Sequence, residues 1–421
     1  MTVAPSSYAV PARSVVRRGP KLRLMTDSLL SDAQDLLDDV VQLRRRLHRH
    51  PELGNHLPKT RETVLAALDG LPLDVTLHQT TSGIAAVLHG AGDGPTVLLR
   101  GDMDGLPLTE DTGLDFASET GTTMHACGHD LHTSMLYGAA RLLSDRRDAL
   151  NGKVVFMFQP GEEGSAGARH MLEEGLLDTT GDKPSAGFAI HVTSLYGSGE
   201  VHIRPGPQMA SADELTITVS GSGGHASAPH NALDPVPIAA EIILATQVAV
   251  TRRINVFTPG VVTFAKVTAG TTNNIIPPNA ELNGTVRAVS EETRSTIHEI
   301  LERVATNVAA AHGATANLAI KHGYPVSVND PGIVASVMDM AGRVLGPEAA
   351  NEMPAPIMGA EDWSYVMQQI PGAMAFLGAC PPDLDPEAAP ANHSNLVRFD
   401  EAAMPKGVAL YCGFVLDRLT G

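Results

Sequence analysis

The stretch MHACGHDLHTS, residues 124–134, places one cysteine, three histidines and an aspartate within eleven consecutive positions. Thiolate and imidazole groups are ligands that transition metals prefer. A buried thiol close to the start of a helix is the alternative interpretation, and this stretch alone does not decide between the two. A metal centre would also require carboxylates and a further histidine from other parts of the chain.

The sequence around this stretch alternates between predicted strands and helices. Apolar runs predict strands at residues 84–88, 96–99, 153–158, 188–192 and 373–378. Helical periodicity predicts helices at residues 28–48, 60–68, 131–143, 166–174 and 401–416. Polar residues follow several of the strands, which is where ligands bind in open α/β sheets. The pattern therefore predicts an α/β sheet whose short loops form a site.

The pattern changes near residue 211. A strand, a helix, two strands, a helix and a strand are predicted in turn, at residues 214–219, 235–250, 261–267, 280–289, 292–311 and 316–320. This β-α-β-β-α-β order is that of a ferredoxin-like unit of about 110 residues. We therefore predict a first domain in two segments, residues 25–209 and 325–421, interrupted by an inserted domain at residues 210–324.

The composition indicates a globular protein that acts on a small molecule or peptide. The 421 residues are 43% hydrophobic, enough for a large core, and no apolar run reaches the roughly 20 residues of a membrane span. The formal charge of −17 argues against nucleic acid or an anionic membrane as the main partner. Three cysteines are too few for a disulfide framework, which indicates the cytoplasm. Residues 1–24 are basic without the apolar core of a secretory signal, and are predicted to be a disordered extension.

Two pairs of carboxylates follow predicted strands. Glu162 and Glu163, in QPGEEG, have side chains that point in different directions, so that one can bind a metal while the other faces a water. A metal lowers the pKa of such a water to about 7, and an uncoordinated glutamate can take its proton. Asp102 and Asp104, in RGDMDGLPL, can hold the rings of ligating histidines. Two acids at a helix N-terminus, and two turn-forming aspartates, are the alternative interpretations.

Three histidines outside the opening stretch, and two within it, need an interpretation. His191 ends a predicted strand and His393 lies in the loop ANHSN, positions that favour metal binding over an ordinary buried histidine. His225, in GSGGHASAP of the insert, has glycines around it that would let it approach a substrate as an oxyanion donor, and a β-turn histidine is the alternative. His125 and His132 are interpreted as supporting or packing residues.

Nine motifs occur together in a fixed order. They are RRLHRHPELG, RGDMDGLPL, MHACGHDLHTS, QPGEEGSAGA, FAIHV, GGHASAPH, NNIIPPNAELNGTVR, MGAEDWSY and NHSN. From about residue 38 to residue 416 the chain resembles the dinuclear-metal amidohydrolase family of aminoacylases, hippurate hydrolases and auxin-conjugate hydrolases. The resemblance implies an α/β metal-binding domain with a mostly parallel sheet flanked by helices, interrupted by an α+β lid domain that mediates dimerisation. The segment NHLPKT departs from the pattern of these relatives, far in sequence from the site motifs.

The resemblance also implies roles for particular residues. The implied metal ligands are Cys127, His129, Glu163, His191 and His393. Glu162 is implied to be the general base and acid, and Asp104 to support the metal site. His225 matches a lid histidine that, in dimeric relatives, reaches the partner subunit's active site and stabilises the oxyanion. Cys127 replaces a bridging aspartate of more distant relatives. The implied substrate contacts are Asn274, Arg287 and Glu361, the last in a loop at the edge of the cleft.

The function that follows is a cytoplasmic, metal-dependent amidohydrolase. It would cleave N-acyl amino acids or related small conjugates with two divalent ions (Zn, Mn, Co or Ni), as a homodimer or larger homo-oligomer formed through the lid. The first alternative is a dipeptidase or a deacetylase of cell-wall-derived peptides or acylated diamino acids. A catalytically silent binding protein on the same fold, and a two-metal phosphoesterase, are the alternatives from other classes.

Overall fold

The structure, a computed structural model, describes residues 28–420. The predicted extension at residues 1–24 lies outside the described residues. The described helices are α1 (Leu29–Asp35), α2 (Leu37–Arg49), α3 (Pro58–Leu68), α4 (His129–Ser144), α5 (Gly167–Glu173), α6 (Pro235–Arg253), α7 (Glu291–Ala311), α8 (Pro331–Val344), α9 (Trp363–Met367) and α10 (Met404–Leu419). Over residues 28–420, none of them combines the length and the apolar character that crossing a membrane requires.

Eight strands form one large sheet. The strands of the described chain are β1 (Leu73–Leu77), β2 (Ile84–His89), β3 (Gly92–Asp102), β4 (Asn151–Gln159), β5 (Ala186–Thr193), β6 (Val201–Ile203), β7 (Gly206–Met209), β8 (Ser211–Ser220), β9 (Gly224–His225), β10 (Gly260–Ala269), β11 (Ile275–Ile276), β12 (Asn279–Ala288), β13 (Thr315–His322), β14 (Ser327–Asn329), β15 (Ala350–Glu352) and β16 (Gly372–Gly378). The large sheet has the order β1-β2-β4-β3-β5-β16-β6-β15. Its four central strands are parallel, and antiparallel pairs occur nearer the edges. The predicted α/β class with a mostly parallel sheet is confirmed.

Both faces of the large sheet are covered. Every residue of β5 and of β16 is buried, as expected for parallel strands between two layers of helices. Successive residues of β3 enter different cores, because side chains alternate between the faces of a strand: Leu99 packs in the core on one face and Leu98 in the core on the other. The sheet is therefore a rigid support for the loops at its edge.

Helix α4 lies inside the molecule. All its residues except Arg141 are buried, so it is packed on every side. Gly138 permits a close approach to α2 and α10, since an added Cβ would lie 2.7 Å from Val408 and 2.8 Å from Val40. This packing fixes the N-terminus of α4, which begins at His129.

A second sheet contains β10, β12, β8 and β13 in that order, with every pairing antiparallel. Strand β8 alternates between buried and less buried residues, which is the period-2 pattern of a sheet covered on one face. Helices α6 and α7 pack against this sheet and share a core that includes Ile217, Ile242 and Ile297. The strand order is the ferredoxin-like one that the β-α-β-β-α-β pattern predicts.

Several elements differ from the predictions. The helix predicted at residues 28–48 is divided at Leu36, whose backbone dihedral angles (φ −90°, ψ 0°) leave the helical range. The short strands β6, β7, β14 and β15 are not predicted, because three or four residues carry too little periodicity. Helix α8 is also missed, although Asp330 caps it by accepting a hydrogen bond from the backbone N–H of Ile333 at 2.9 Å.

Candidate metal centre

Three parallel strands end at the same edge of the large sheet and bring four predicted site residues together. Strand β3 leads into Asp104, β4 leads into the loop of Glu162 and Glu163, and β5 carries His191 near its end. Carboxyl ends of parallel strands lie side by side, so residues far apart in sequence meet here. The large sheet thus gathers carboxylates and an imidazole at one point.

The start of α4 faces this edge. Gly128 has a φ of 87°, the left-handed region that favours glycine, and an added Cβ would lie 2.4 Å from Val192. This turn places Cys127 and His129 beside His191. The backbone N–H of His393 donates to the carbonyl oxygen of Ala126 at 2.9 Å, which brings the last predicted ligand to the same stretch.

The five predicted ligands lie close together. The Sγ of Cys127 is 3.4 Å from the Nε2 of His191, and the Nε2 of His393 is 3.0 Å from the Oε1 of Glu163. The Nε2 of His129 is 3.9 Å from the same Glu163 oxygen. Two sets of potential ligand atoms, each within 4.8 Å of one another, share the thiol: Cys127 with His129 and His191, and Cys127 with Glu163 and His393.

Hydrogen bonds to neighbouring groups orient the predicted ligands. The Nδ1 of His191 donates to the carbonyl oxygen of Val192 at 2.8 Å, so its Nε2 is left to face Cys127. Asp104 accepts the backbone N–H groups of Glu162 and Glu163, each at 3.0 Å, and its Oδ1 lies 3.3 Å from the Nδ1 of His129. Asp104 therefore holds the glutamate loop and a predicted ligand together.

The donor set fits a divalent transition-metal ion. Both ring nitrogens of His129 are buried and make no hydrogen bond. Buried polar atoms are rarely left so, and an ion is a standard reason. A thiolate, three imidazoles and a carboxylate are also the groups that Zn²⁺ and its neighbours bind.

The electrostatics of the centre favour anionic ligands. Burial alone would raise the pKa of the Cys127 thiol, but the charges of His191 and His129 lower it to about 5. Burial likewise opposes ionisation of Glu163, whose pKa is nevertheless lowered by the hydrogen bond from His393. Hydrogen bonds to Cys127 and Glu163 raise the pKa of His393 to about 10. The lowered pKa values of Cys127 and Glu163 favour the anionic forms that bind a cation, and a bound cation would displace the proton that raises the charge of His393.

Glu162 differs from its neighbour Glu163. Its pKa is raised well above the ordinary value by burial and by the negative charges of Glu361, Glu163 and Asp362. A carboxylate with a raised pKa accepts a proton more readily, as a general base requires. Two adjacent glutamates thus have opposite pKa shifts, which suits different roles.

His132 is occupied by other partners. Its Nδ1 donates to the Oδ1 of Asp102 at 2.5 Å, and its Nε2 accepts the backbone N–H of Val192 at 2.7 Å. Both ring nitrogens are used, so this histidine supports the end of β5 and is not available to an ion. Its interpretation as a supporting residue agrees with these contacts.

The site residues predicted in the insert make none of the contacts described above for the metal centre. His225 pairs with Ile275 across β9 and β11, and its Nδ1 accepts hydrogen bonds from the backbone N–H and hydroxyl of Ser227, at 3.1 and 2.8 Å. Its Nε2 therefore carries the proton and remains a donor. Asn274 is exposed beside it, its carbonyl oxygen accepting the backbone N–H of Ala226 at 3.1 Å. Arg287, on β12, is half-buried, and burial lowers its pKa.

Glu361, predicted in a loop at the cleft edge, lies in the loop before α9 and is buried, with 1% of its surface exposed. Its Oε1 pairs with Arg100 at 2.8 Å. A buried carboxylate requires a cationic partner. The MGAEDWSY motif does not indicate that this partner is an arginine of β3. A substrate contact by Glu361 stays a prediction.

Arg100 is the main residue of this region that sequence reasoning missed. It is fully buried and pairs with Asp102 at 2.7 Å as well as with Glu361 and Asp362. The sequence contains one signal for this residue, a lone arginine at the end of the apolar run TVLLRGD. An arginine so placed is expected to be buried, and a buried guanidinium must be paired with acids. Arg100 thereby holds the acids that surround Glu162.

The chain is similar to known proteins over most of its length. Residues 98–417 match peptidase family M20/M25/M40. The N-acetylcysteine deacetylase of Bacillus subtilis is 38% identical over 340 residues, 80% of this chain and 88% of that protein. The IAA-amino acid hydrolase ILR1-like 4 of Arabidopsis thaliana is 36% identical over 386 residues, 91% of this chain and 86% of that protein. The solved structure of the YXEP protein of Bacillus subtilis, a dinuclear metal binding peptidase from the M20 family, has a TM-score of 0.79 and 32% identity, and covers 92% of this chain and 99% of its own.

The fold and the site together define a metal-dependent hydrolase of amide bonds: an α/β sheet, a cluster of metal-binding groups at its carboxyl edge, and a glutamate of raised pKa beside them. The chain belongs to peptidase family M20/M25/M40. The family resemblance inferred from the motifs is thereby confirmed.

Proposed function

We propose that the protein hydrolyses the amide bond of N-acyl amino acids or related small amino-acid conjugates, using two divalent metal ions. The proposed ligands are Cys127, His129, Glu163, His191 and His393. The observation that carries the proposal is that two sets of ligand atoms, each within 4.8 Å, share the Cys127 thiol. One thiolate common to two sets suits a pair of ions better than a single ion.

The metals we propose are Zn, Mn, Co or Ni. The soft thiolate and the imidazoles favour Zn, while the carboxylate suits the harder ions of the series. When bound, the two ions polarise the scissile carbonyl and lower the pKa of the attacking water. Asp104 supports this centre in the proposal, since its carboxylate contacts both the glutamate loop and His129.

Glu162 is the proposed general base and acid. It takes a proton from the attacking water and then delivers it to the nitrogen of the leaving amine, so that the carboxylate is restored at the end of each turnover. The raised pKa of Glu162, caused by burial and by the charges of Glu361 and Glu163, supports this role. The fixed backbone N–H of Glu162, held by Asp104 at 3.0 Å, keeps the carboxylate in position.

His225 is the proposed oxyanion donor, from the lid of a partner subunit. Its support is the Nε2 donor that remains after Nδ1 accepts from Ser227. Asn274 and Arg287 are proposed substrate contacts on the same lid, and Glu361 is retained with less support because it pairs with Arg100. The proposed lid comprises residues 210–324 and the catalytic domain residues 25–209 and 325–421, a division supported by the separate cores of the two sheets.

We also propose a homodimer or larger homo-oligomer formed through this lid. Helix α6 exposes Leu244 by 68% and Val248 by 62%, and Val267 on strand β10 is 58% exposed. Strand β10 is an edge of the four-stranded sheet, so its free backbone groups can pair with a second copy. Apolar side chains next to an open strand edge favour self-association.

The proposed compartment is the cytoplasm. The three cysteines, Cys127, Cys380 and Cys412, are all free and buried. A thiolate that must remain reduced to bind metal is best preserved in a reducing environment.

A peptidase acting on dipeptides is the second candidate. The YXEP protein, which resembles this chain over nearly its whole length, is described as a peptidase, whereas the deacetylase and the IAA-amino acid hydrolase favour acylated amino acids and amino-acid conjugates. Both reactions release an amino group from an amide, so the chemistry of the centre does not separate them.

The test is an amino-group release assay on metal-analysed protein, with a panel of N-acyl amino acids and dipeptides of matched side chains. We expect close to two ions per chain and kcat/KM values at least tenfold higher for N-acyl substrates. Higher values for dipeptides would establish the peptidase. A protein without bound ions and without hydrolysis of either class would indicate a catalytically silent binding protein.

A further inference from the structure

The chain crosses between the two sheets at two adjacent places. It leaves the large-sheet region at residues 210–212 and returns at residues 323–326. At the crossings the backbone N–H of Ala212 donates to the carbonyl oxygen of Tyr324 at 2.9 Å, and β7 pairs with β14 just beyond. Over residues 28–420 these are the two covalent connections between the four-stranded sheet and the large-sheet region, and Tyr324 lies in the second of them.

The side chain of Tyr324 reaches the loop of the proposed general base. Its hydroxyl donates to the backbone carbonyl oxygen of Glu162 at 2.5 Å and accepts the backbone N–H of Ala166 at 3.2 Å. Tyr324 is 9% exposed, and burial raises its pKa, so the hydroxyl keeps the proton that it donates. One hydroxyl therefore joins the two ends of the loop from residue 162 to residue 166.

This loop needs support from outside. Ala166 has a φ of 52°, a left-handed conformation that a residue with a Cβ rarely adopts without help from its surroundings. The peptide groups on either side of Glu162 have different anchors. Asp104 of the large-sheet region holds the N–H of Glu162, and Tyr324 of the crossing holds its carbonyl oxygen.

We propose that Tyr324 is a positioning residue that couples the crossings of the lid to the backbone of Glu162, so that the orientation of the lid helps to set the position of the general base. The proposal rests on the role of Glu162 under the proposed function. The bond from Tyr324 to Glu162 is made to the backbone carbonyl oxygen, and Tyr324 acts through that bond and not on the substrate.

A matched control lies beside it. The hydroxyl of Tyr365 donates to the carbonyl oxygen of Gly323 at 3.1 Å, within the same crossing. The rings of Tyr324 and Tyr365 meet edge to face, with centroids 6.0 Å apart. Tyr365→Phe thus removes a hydroxyl from the crossing without removing a bond to the Glu162 loop.

The experiment compares Tyr324→Phe and Tyr365→Phe in the full-length, metal-loaded enzyme. We expect Tyr324→Phe to lower kcat at least tenfold, with KM and metal content within twofold of the wild type, because only the geometry of the base changes. Amide exchange at Ala166 should accelerate in Tyr324→Phe, since its acceptor is gone. Tyr365→Phe should resemble the wild type in all four measurements. Equal losses of kcat in the two variants, or an unchanged kcat in Tyr324→Phe, would overturn the coupling.

Amide hydrogen exchange in the wild-type protein provides a test that needs no variant. If the crossing and the loop move together, the amides of Ala166 and Ala212 open with similar free energies, because both are bonded to Tyr324. Clearly different opening free energies would count against the proposal. A wild type that hydrolyses none of the substrates would contradict the proposed function, while these exchange measurements would still decide whether Tyr324 links the two segments.

Discussion

The carboxylate of Asp104 accepts the backbone N–H of Glu162 at 3.0 Å. Its second oxygen accepts the N–H of Glu163 at the same distance, and its first lies 3.3 Å from the Nδ1 of His129. A single buried aspartate after β3 therefore fixes the backbone of the proposed base and of one ligand, and orients another. The proposed chemistry depends on this residue, although it contacts neither water nor substrate in the proposal.

Asp104→Asn should weaken metal binding and turnover together. An asparagine has one acceptor oxygen where the aspartate has two, so one of the two glutamate N–H groups would face an amide donor. We expect metal affinity to fall by roughly 10- to 100-fold, as is usual for residues that orient ligands. Metal titration followed by kinetics at saturating metal measures the two effects separately. Wild-type affinity in this variant would show that the contacts of Asp104 are dispensable.

Glu162→Gln should remove nearly all turnover and leave the metals in place. Glutamine has almost the same shape but accepts no proton, so kcat should fall by roughly 10²- to 10⁴-fold, the usual contribution of a general base. Metal analysis and kcat on the same preparation measure this. The matched control is Glu163→Gln at the next residue, which should lose metal. Substantial turnover by Glu162→Gln would reassign the base.

Gly138→Ala should destabilise the protein, despite the higher helix propensity of alanine. The new Cβ would lie 2.7 Å from Val408 and 2.8 Å from Val40, so either these side chains or α4 itself must shift. Overpacking of this kind costs about 1–3 kcal/mol, against a gain of about 1 kcal/mol from propensity. The unfolding temperature of the metal-loaded protein measures the net effect.

Gly342→Ala is the control for that substitution. Gly342 also lies in a helix, α8, but its added Cβ would have only the Cα of Pro347 within 4 Å, at 3.9 Å. The same change should therefore be neutral or raise stability by up to about 1 kcal/mol. Equal losses of stability in the two variants would show that close packing at Gly138 is not the cause.

The stability contributed by Asp213 should depend on pH. Asp213, at the start of the four-stranded sheet, accepts hydrogen bonds from the Nε of Arg294 and the Nε2 of His298, each at 2.8 Å. Burial alone would raise its pKa, but the hydrogen bonds from Arg294 and His298 lower it well below the usual value. A lowered pKa stabilises the fold above the unfolded-state value of about 3.9, and that stabilisation is lost as the pH falls below it.

Asp213→Asn should consequently lower the unfolding temperature at pH 7, and its difference from the wild type should shrink below about pH 4. Glu214→Gln is the control, because Glu214 is 71% exposed in its pair with Lys321 and such pairs contribute little. A difference between Asp213→Asn and the wild type that stays constant down to pH 3 would contradict the assigned pKa shift.

Local periodicity predicted the central elements well. The helix predicted at residues 131–143 is α4 (His129–Ser144), and the strand predicted at residues 188–192 is β5 (Ala186–Thr193). Both have long, continuous apolar patterns that tertiary contacts reinforce. The break at Leu36 was not visible, because the residues on both sides continue one apolar pattern while the backbone leaves the helix.

The candidate site was predictable to the extent that its motifs are local. Cys127 and His129 occur in one short stretch, and Glu162 and Glu163 are adjacent, so residue type and spacing identify them. The engagement of Arg100 with Glu361, 261 positions apart, has no local signature. The hydrogen bond from Tyr324 to the backbone of Glu162 has no local signature either, because every residue has a backbone carbonyl oxygen that can accept.

The sequence by itself determined the α/β class, the ferredoxin-like insert, the family and the set of metal-binding residue types, because strand and helix periods and ligand chemistry are local properties. Only the tertiary structure decided which of these groups meet. Cys127 and His191 are 64 positions apart and lie 3.4 Å from each other because β5 ends beside the start of α4. The burial that raises the pKa of Glu162 was likewise decided by packing, since desolvation depends on every segment that surrounds the carboxylate.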